Sequence, residues 1–376
     1  MAHPTTTTPH QPDPALPLLD HIVILVPPRV LHDLPAWLTD NFTVITGGVH
    51  AGGATENKLI LLADGVYLEL IAFTEGVDRS KRAQHRWGAR PEGRIVDWAL
   101  TLPGTGEEFA KVQDRVRSRA TGVVYGDPVP GGRTTPSGTE LKWAVADPRA
   151  ARDGEGSDAP VLSIEAGEAP FWCFDRTPRR LRVPHDVPAN VKHPSGAVGL
   201  AGVTVFVADA AALEAFKQVY DGIYGEEGSS VGEDEHGGAG YSWNVGVPVA
   251  DGGRKHSVSL RLTAAGTFVQ LSLFSTSREG TAGGVLHGDW RVDFDLVYIS
   301  HYLLIAEGRY RKMQGREVSR SSHLFYSISG SPSGNVVSQN DEHCSSKFEP
   351  CKFCNYYHWY KRANGAGVIW VKFYNT

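Results

Sequence analysis

Cysteine and methionine are scarce in this sequence, four and two residues respectively among 376. Three of the cysteines crowd near the C-terminal end, which excludes a disulfide framework as the organising device and makes a cytoplasmic location the expectation. No run of about 18 uncharged apolar residues occurs, so no membrane span is expected. Thirty-seven basic residues against 42 acidic ones leave a net charge of −5, without the basic excess of a nucleic-acid binder. The opening MAHPTTTTPHQPDPALP has no apolar core of the signal-peptide kind, and residues 1–17 read as a disordered leader. Alanine is nearly absent from the end of the chain, with 3 residues in 289–376 against 32 in 1–288. The same final stretch holds 8 of the 13 tyrosines. Residues 276–376 are therefore expected to be an atypical, poorly ordered extension, opening at the glycine-rich TSREGTAGGVLHGD.

What is present is a repeated supersecondary pattern of a strand, an amphipathic helix and further strands. The first copy opens with LDHIVILV (19–26), continues through a helix over 29–40, and closes with FTVITGG, NKLILLAD and GVYLELIAF. An Asp-Gly turn at Asp64-Gly65 joins the last two strands. A second copy begins at RIVDWALTL (94–102), with a helix near 105–118 and strands in GVVYGDPV, TELKWAVAD and APFWCFD. A third begins at LAGVTVFVAD (200–209), with a helix near 210–223 and HSVSLRLTA and GTFVQLSLF as closing strands. DPRAARDGEGSDAP (147–160) reads as an exposed insertion. The expected class is α+β, with βαβββ modules forming a cup-shaped, mostly antiparallel sheet and helices outside it.

Two strands carry an unexpected polar residue. Period-two alternation places His21 on one face with Val23 and Leu25, and Glu69 on one face with Tyr67 and Ile71. A carboxylate in such a strand is costly unless it is paired, metal-bound or hydrogen-bonded, so both residues are expected to face a pocket. An imidazole and a carboxylate that converge there begin a divalent-metal site.

The combination GG-x-H (47–50), T-x-N-x-L (55–59) and D-G-x-Y-L-E-L-I (64–71), with the repeated βαβββ pattern, resembles the glyoxalase-like domain of the vicinal-oxygen-chelate superfamily. The resemblance is sharp over 18–75, looser to 195, and carried by module pattern alone in 196–275. It implies a glyoxalase-like domain over 18–195, made of two modules with the second degenerate, and a third module over 196–275. It also implies a pocket metal held by a ligand on each first strand and a Glu on each last strand. Here the first module offers His21 and Glu69. The second offers Trp98 at the His position and only Cys173 or Asp175 at its end, and aligning the third puts Gly202 and Gln270 at the two ligand positions. Four ligands cannot be assembled.

Two functions follow. One is a metal-assisted enzyme of lyase, isomerase or dioxygenase type acting on a small oxygenated organic molecule, with His21 and Glu69 as ligands of a divalent ion and His50 as the catalytic base. The other is a metal-free protein of the same fold that binds or sequesters a small molecule. Asn57, Trp98 and Trp143 are candidate substrate contacts, although residues such as Trp98, Trp143, Phe171 and Trp172 are more often core. Arg133 reads as a solvated loop charge or an anion clamp, and PRRLR (178–182) as a solvated linker. His343, Cys344, Cys351, Cys354 and His358 have partial zinc-ligand spacing, in a segment whose composition argues against a built site. Modules can pair within one chain or across a homodimer.

Overall fold

The computed structural model describes residues 16–103, 107–135, 137–152, 164–234, 237–299, 346–350 and 357–361. The chain divides into Met1–Arg316 and Glu317–Thr376. The cysteine-histidine spacing in the tail and the leader up to residue 15 lie outside the residues whose side chains are described.

The first module runs β1 (Leu18–Leu25), α1 (Pro28–His32), α2 (Ala36–Asn41), β2 (Ile45–Val49), β3 (Thr55–Leu61) and β4 (Tyr67–Phe73). The helix expected over 29–40 is in fact two short ones. Pro35 stands at the N-cap of the second, where its ring and missing N–H interrupt the ladder. After α3 (Arg79–Gln84) comes the second module: β5 (Arg94–Thr101), α4 (Glu107–Ser118), β6 (Val123–Tyr125), β7 (Val129–Thr134), β8 (Glu140–Ala146), β9 (Pro148–Ala150) and β10 (Phe171–Asp175). These modules form one eight-stranded sheet in the order β2-β3-β4-β1-β5-β10-β8-β7. In each module the first and last strands pair in parallel, β1 with β4 and β5 with β10. The other ladders of this sheet are antiparallel. The sheet curls until its two end strands touch. His50 and Arg133 form an isolated bridge, and the Ala51 N–H donates to Gly132 O at 2.8 Å. The result is a nearly closed mixed barrel with helices outside.

A short helix, α5 (Arg179–Arg182), leads to the third module: β11 (Ala197–Val207), α6 (Ala210–Tyr224), β12 (Ser229–Val231), β13 (Gly240–Val245) and β14 (His256–Leu262). β15 (Phe268–Ser275), β16 (Gly280–His287) and β17 (Trp290–Tyr298) complete a second sheet in the order β12-β13-β14-β11-β15-β17-β16. Three features depart from the sequence reading. The strand parallel to β11 is β14, whereas β15 pairs antiparallel with it as β5 does with β1. GYSWNV, assigned no element in the sequence reading, is β13, one further strand ahead of HSVSLRLTA. Past 275, β17 lies parallel to β15 and β16 pairs with β17. The sheet therefore continues across the expected boundary at 276. In Glu317–Thr376 the described residues are β18 (Ser346–Pro350) and β19 (Tyr357–Lys361), an antiparallel pair.

The main core lies between the two sheets, around α4 and α6. Trp98, Trp172, Tyr220 and Trp243 are fully buried there. The helices cross closely at Gly222, where a Cβ would come within 2.8 Å of Val116 Cα. β1 divides its side chains as alternation requires. Ile22 and Ile24 join this core, while Val23 and Leu25 belong to a separate apolar cluster inside the barrel.

Candidate functional site

The barrel holds a cavity of about 290 Å³, close to the lower end of the roughly 300–1,000 Å³ usual for ligand sites. His21, His50, Asn57, Glu69 and Trp143 all line it.

His21 comes from β1 and is 4% exposed, and Glu69 from β4 is 5% exposed. His21 Nδ1 lies 2.5 Å from Asp20 Oδ1. Burial alone would raise the Asp20 carboxyl, but Arg179 and Arg182 hold it well below its ordinary range, so it is ionised and can only accept. His21 therefore donates from Nδ1, and its Nε2 lies 3.6 Å from Glu69 Oε2. Tyr67 stacks on the imidazole at 4.7 Å and Phe171 meets it edge-on at 5.2 Å, which fixes the ring plane.

On the other side of Glu69 stands His50, whose Nε2 is 3.6 Å from Oε1. Asn57 sits between them. Its Nδ2 donates to Glu69 Oε1 at 2.5 Å and reaches His50 Nε2 at 3.3 Å. Because the Asn57 Nδ2 can only donate, His50 Nε2 accepts from it, and Nδ1, 2.8 Å from Thr55 Oγ1, carries the proton of the neutral ring. Burial lowers the His50 pKa from its ordinary 6.5, with Glu69 pulling weakly the other way. Both imidazoles thus turn Nε2 toward one carboxylate, each 3.6 Å from one of its oxygens. The residues of GG-x-H and T-x-N are a single network.

The donors fit a divalent cation. At 3.6 Å the two His–Glu pairs are too far apart for hydrogen bonds. Two donors each about 2.0–2.2 Å from one ion would stand at such a spacing. Each His also has its second nitrogen held by a neighbour, the outer support that metal-binding histidines use. Asp20, His21 and Cys173 also bring donor atoms within 4.8 Å of one another, as a metal cluster would. That trio is less suited to a cation. Asp20 is already bound to two arginines, and burial raises the Cys173 thiol far above its usual range, which keeps it protonated.

Sequence reasoning misplaced several residues. Trp98 does not reach the cavity. It pairs with Ile22 on β1, and cross-strand partners share a face, so the indole lies in the outer core near Tyr220 and donates to Gly167 O. Trp172 goes the same way, whereas Trp143 and Phe171 line the pocket. Gln270 is not the counterpart of Glu69. β4 pairs Glu69 with Val23, β14 pairs Ser259 with Thr204, and His21 and Gly202 both follow a bulge after a leucine, so Ser259 takes that place. PRRLR is no solvated linker. Arg182 is 4% exposed, forks onto both oxygens of Asp20 at 3.0 and 2.9 Å, and reaches Asp175 and the Tyr67 hydroxyl. Asp175 is only four and seven positions from Arg179 and Arg182, but Asp20 is 159 and 162 away and gives no local signal. Arg133 is likewise buried and lines the cavity.

Residues 19–220 match the profile described as a glyoxalase-like domain. No curated protein matches the sequence. Among solved structures, the chain is similar to a hypothetical protein from Staphylococcus aureus at 13% identity, covering 76% of this chain and 100% of that one, with a TM-score of 0.49. It is also similar to 2,2',3-trihydroxybiphenyl 1,2-dioxygenase from Sphingomonas wittichii at 13% identity, 76% and 91% coverage and a TM-score of 0.36. A mutant 4-hydroxymandelate synthase from Streptomyces coelicolor follows at 14% identity, 69% and 72% coverage and a TM-score of 0.33. Likenesses of this order carry no information on chemistry.

Proposed function

We propose, for a chain that belongs to the glyoxalase-like domain family, that the barrel cavity is the active site of a metal-assisted enzyme acting on a small oxygenated organic molecule. The observation that carries this reading is Glu69 between two imidazoles, each with its Nε2 3.6 Å from one carboxylate oxygen. His21 and Glu69 would hold the divalent ion. When bound, such an ion supplies Lewis-acid polarisation of substrate oxygen.

The chain's own residues do the rest. Asp20 fixes the His21 tautomer and ring direction. Asn57 clamps one oxygen of Glu69 and leaves the other toward His21. His50, kept neutral by burial, takes a proton from substrate at Nε2, with Thr55 steadying the opposite nitrogen. Trp143 crosses His50 edge-on at 5.8 Å and, with Phe171, gives an apolar wall that excludes water. Lyase, isomerase and dioxygenase chemistry all suit this set.

A second reading has its own support. Next to His21 the second module places Ala99, Phe171 and Cys173, and it adds no carboxylate or imidazole to the cavity lining, so a metal-free binding protein of the same fold is the competing assignment. Elemental analysis of purified full-length protein separates the two. Near-stoichiometric divalent metal that is lost in Glu69→Gln supports the enzyme. Metal-free protein that still takes up small molecules supports the binder.

A further inference from the structure

Arg133 lies on β7 at the seam where the barrel closes, bridged through its backbone to His50. It is 7% exposed. Its Nη1 donates to Gly47 O on the facing strand. Nε and Nη2 have no protein partner among the described residues, and no carboxylate there lies within ion-pair distance. Arg182, the other guanidinium on the cavity, is in a different state, because Asp20 and Asp175 neutralise it. Of the cavity-lining residues only Glu69 is acidic, and it faces Arg133, Arg182 and three histidines.

A guanidinium cannot shed its proton to escape burial. Largely buried and without a counter-charge, it is poorly compensated until an anion arrives. Its planar fork matches a carboxylate with two parallel N–H groups. The cavity lining also includes apolar side chains, Ile71, Val145, Trp143 and Phe171. We infer that Arg133 is the anion-recognition residue of this cavity and that the ligand is a small carboxylate with an apolar or aromatic body. The carboxylate lies against Arg133, beside the His50–Asn57–Glu69 cluster. This rests on the cavity being the ligand site proposed above, and it names the substrate class for that site.

The test compares benzoate with its neutral isostere benzamide by calorimetric titration of the full chain, with EDTA present so that no anion is held through a metal. The expected result is benzoate binding at least tenfold more tightly than benzamide. Arg133→Gln should bring benzoate down to the benzamide level, and Arg133→Lys, which keeps the charge without the fork, should fall between. Glu69→Gln should retain benzoate binding, and this separates the inference from the metal reading. Protein that is metal-free as purified, before any EDTA, and still prefers benzoate defeats the metal reading and leaves this one standing. Equal affinity for the two probes, no benzoate binding at millimolar concentration, or an unchanged affinity in folded Arg133→Gln overturns it. If Arg133→Gln fails to fold by circular dichroism, the wild-type preference and the Arg133→Lys value decide.

Discussion

The amide of Asn57 occupies the space that a side chain at residue 47 would need. A Cβ on Gly47 would lie 1.9 Å from Asn57 Oδ1, an oxygen that is buried without a partner among the described residues. The next glycine serves the closure of the barrel. Gly48 has φ +148°, and a Cβ there would meet Thr134 O on β7 at 2.8 Å. The paired glycines of GG-x-H are thus spacers, one for the amide that clamps Glu69 and one for the seam.

Gly47→Ala should therefore displace Asn57 and loosen Glu69. The expected cost is about 1–3 kcal/mol of stability, as for other overpacked sites, read by urea denaturation. An unchanged midpoint would show that the amide has room to move.

Asp20→Asn should be more damaging. It leaves the buried Arg182 with half its compensation, and removing one partner of a buried pair costs about 3–5 kcal/mol. The wild-type pH dependence has a definite sign. Because the folded Asp20 carboxyl sits below its ordinary 3.8, its stabilisation is complete above that value and is lost as the pH falls below it toward the folded pKa. Acid denaturation curves of Asp20→Asn should lack this component.

The two faces of the first sheet predict opposite behaviour for two tryptophans. Trp98→Ala, in the outer core, should cost about 3–5 kcal/mol and act through stability alone. Trp143→Ala, half-buried over Gly131 in the cavity, should cost about 1 kcal/mol and weaken small-molecule uptake. Thermal melts and benzoate titrations on both variants check the contrast, and a reversed pattern would exchange their assignments.

His50 can be followed directly by NMR titration of its ring. The midpoint should lie below 6.5 because burial disfavours the imidazolium. Glu69→Gln should push it lower still, since the Glu69 charge favours the protonated ring. Proton transfer to His50 should accordingly fail only at pH values beneath that depressed midpoint. A midpoint at or above 6.5 would remove His50 as the neutral acceptor.

Much of the first module was legible because its strands alternate cleanly: His21, Tyr67, Glu69 and Ile71 face the cavity, and Ile22 and Ile24 face the core. Legibility ended where local pattern ceased to fix the register. Trp98 lies on a strand whose pairing with β1 carries two irregularities, one of them between Val23 and Ile24. A one-residue slip reverses which face a side chain takes. β13 was invisible because Gly240–Val245 mixes Ser and Asn with its aromatics and follows a polar loop. The Asp20–Arg179–Arg182 cluster joins residues about 160 positions apart, at |i−j| of 159 and 162, which no single-sequence pattern encodes.

The meeting of β2 with β7 has a consequence beyond the cavity. These are the terminal strands of the eight-stranded sheet, and a bare terminal strand is a template for pairing with another molecule. Held together at His50, Ala51, Gly132 and Arg133, each covers part of the other's free edge. A substitution that pries this contact apart opens the ligand chamber and two sticky edges in one step. Loss of binding and the onset of aggregation should therefore be inherited together.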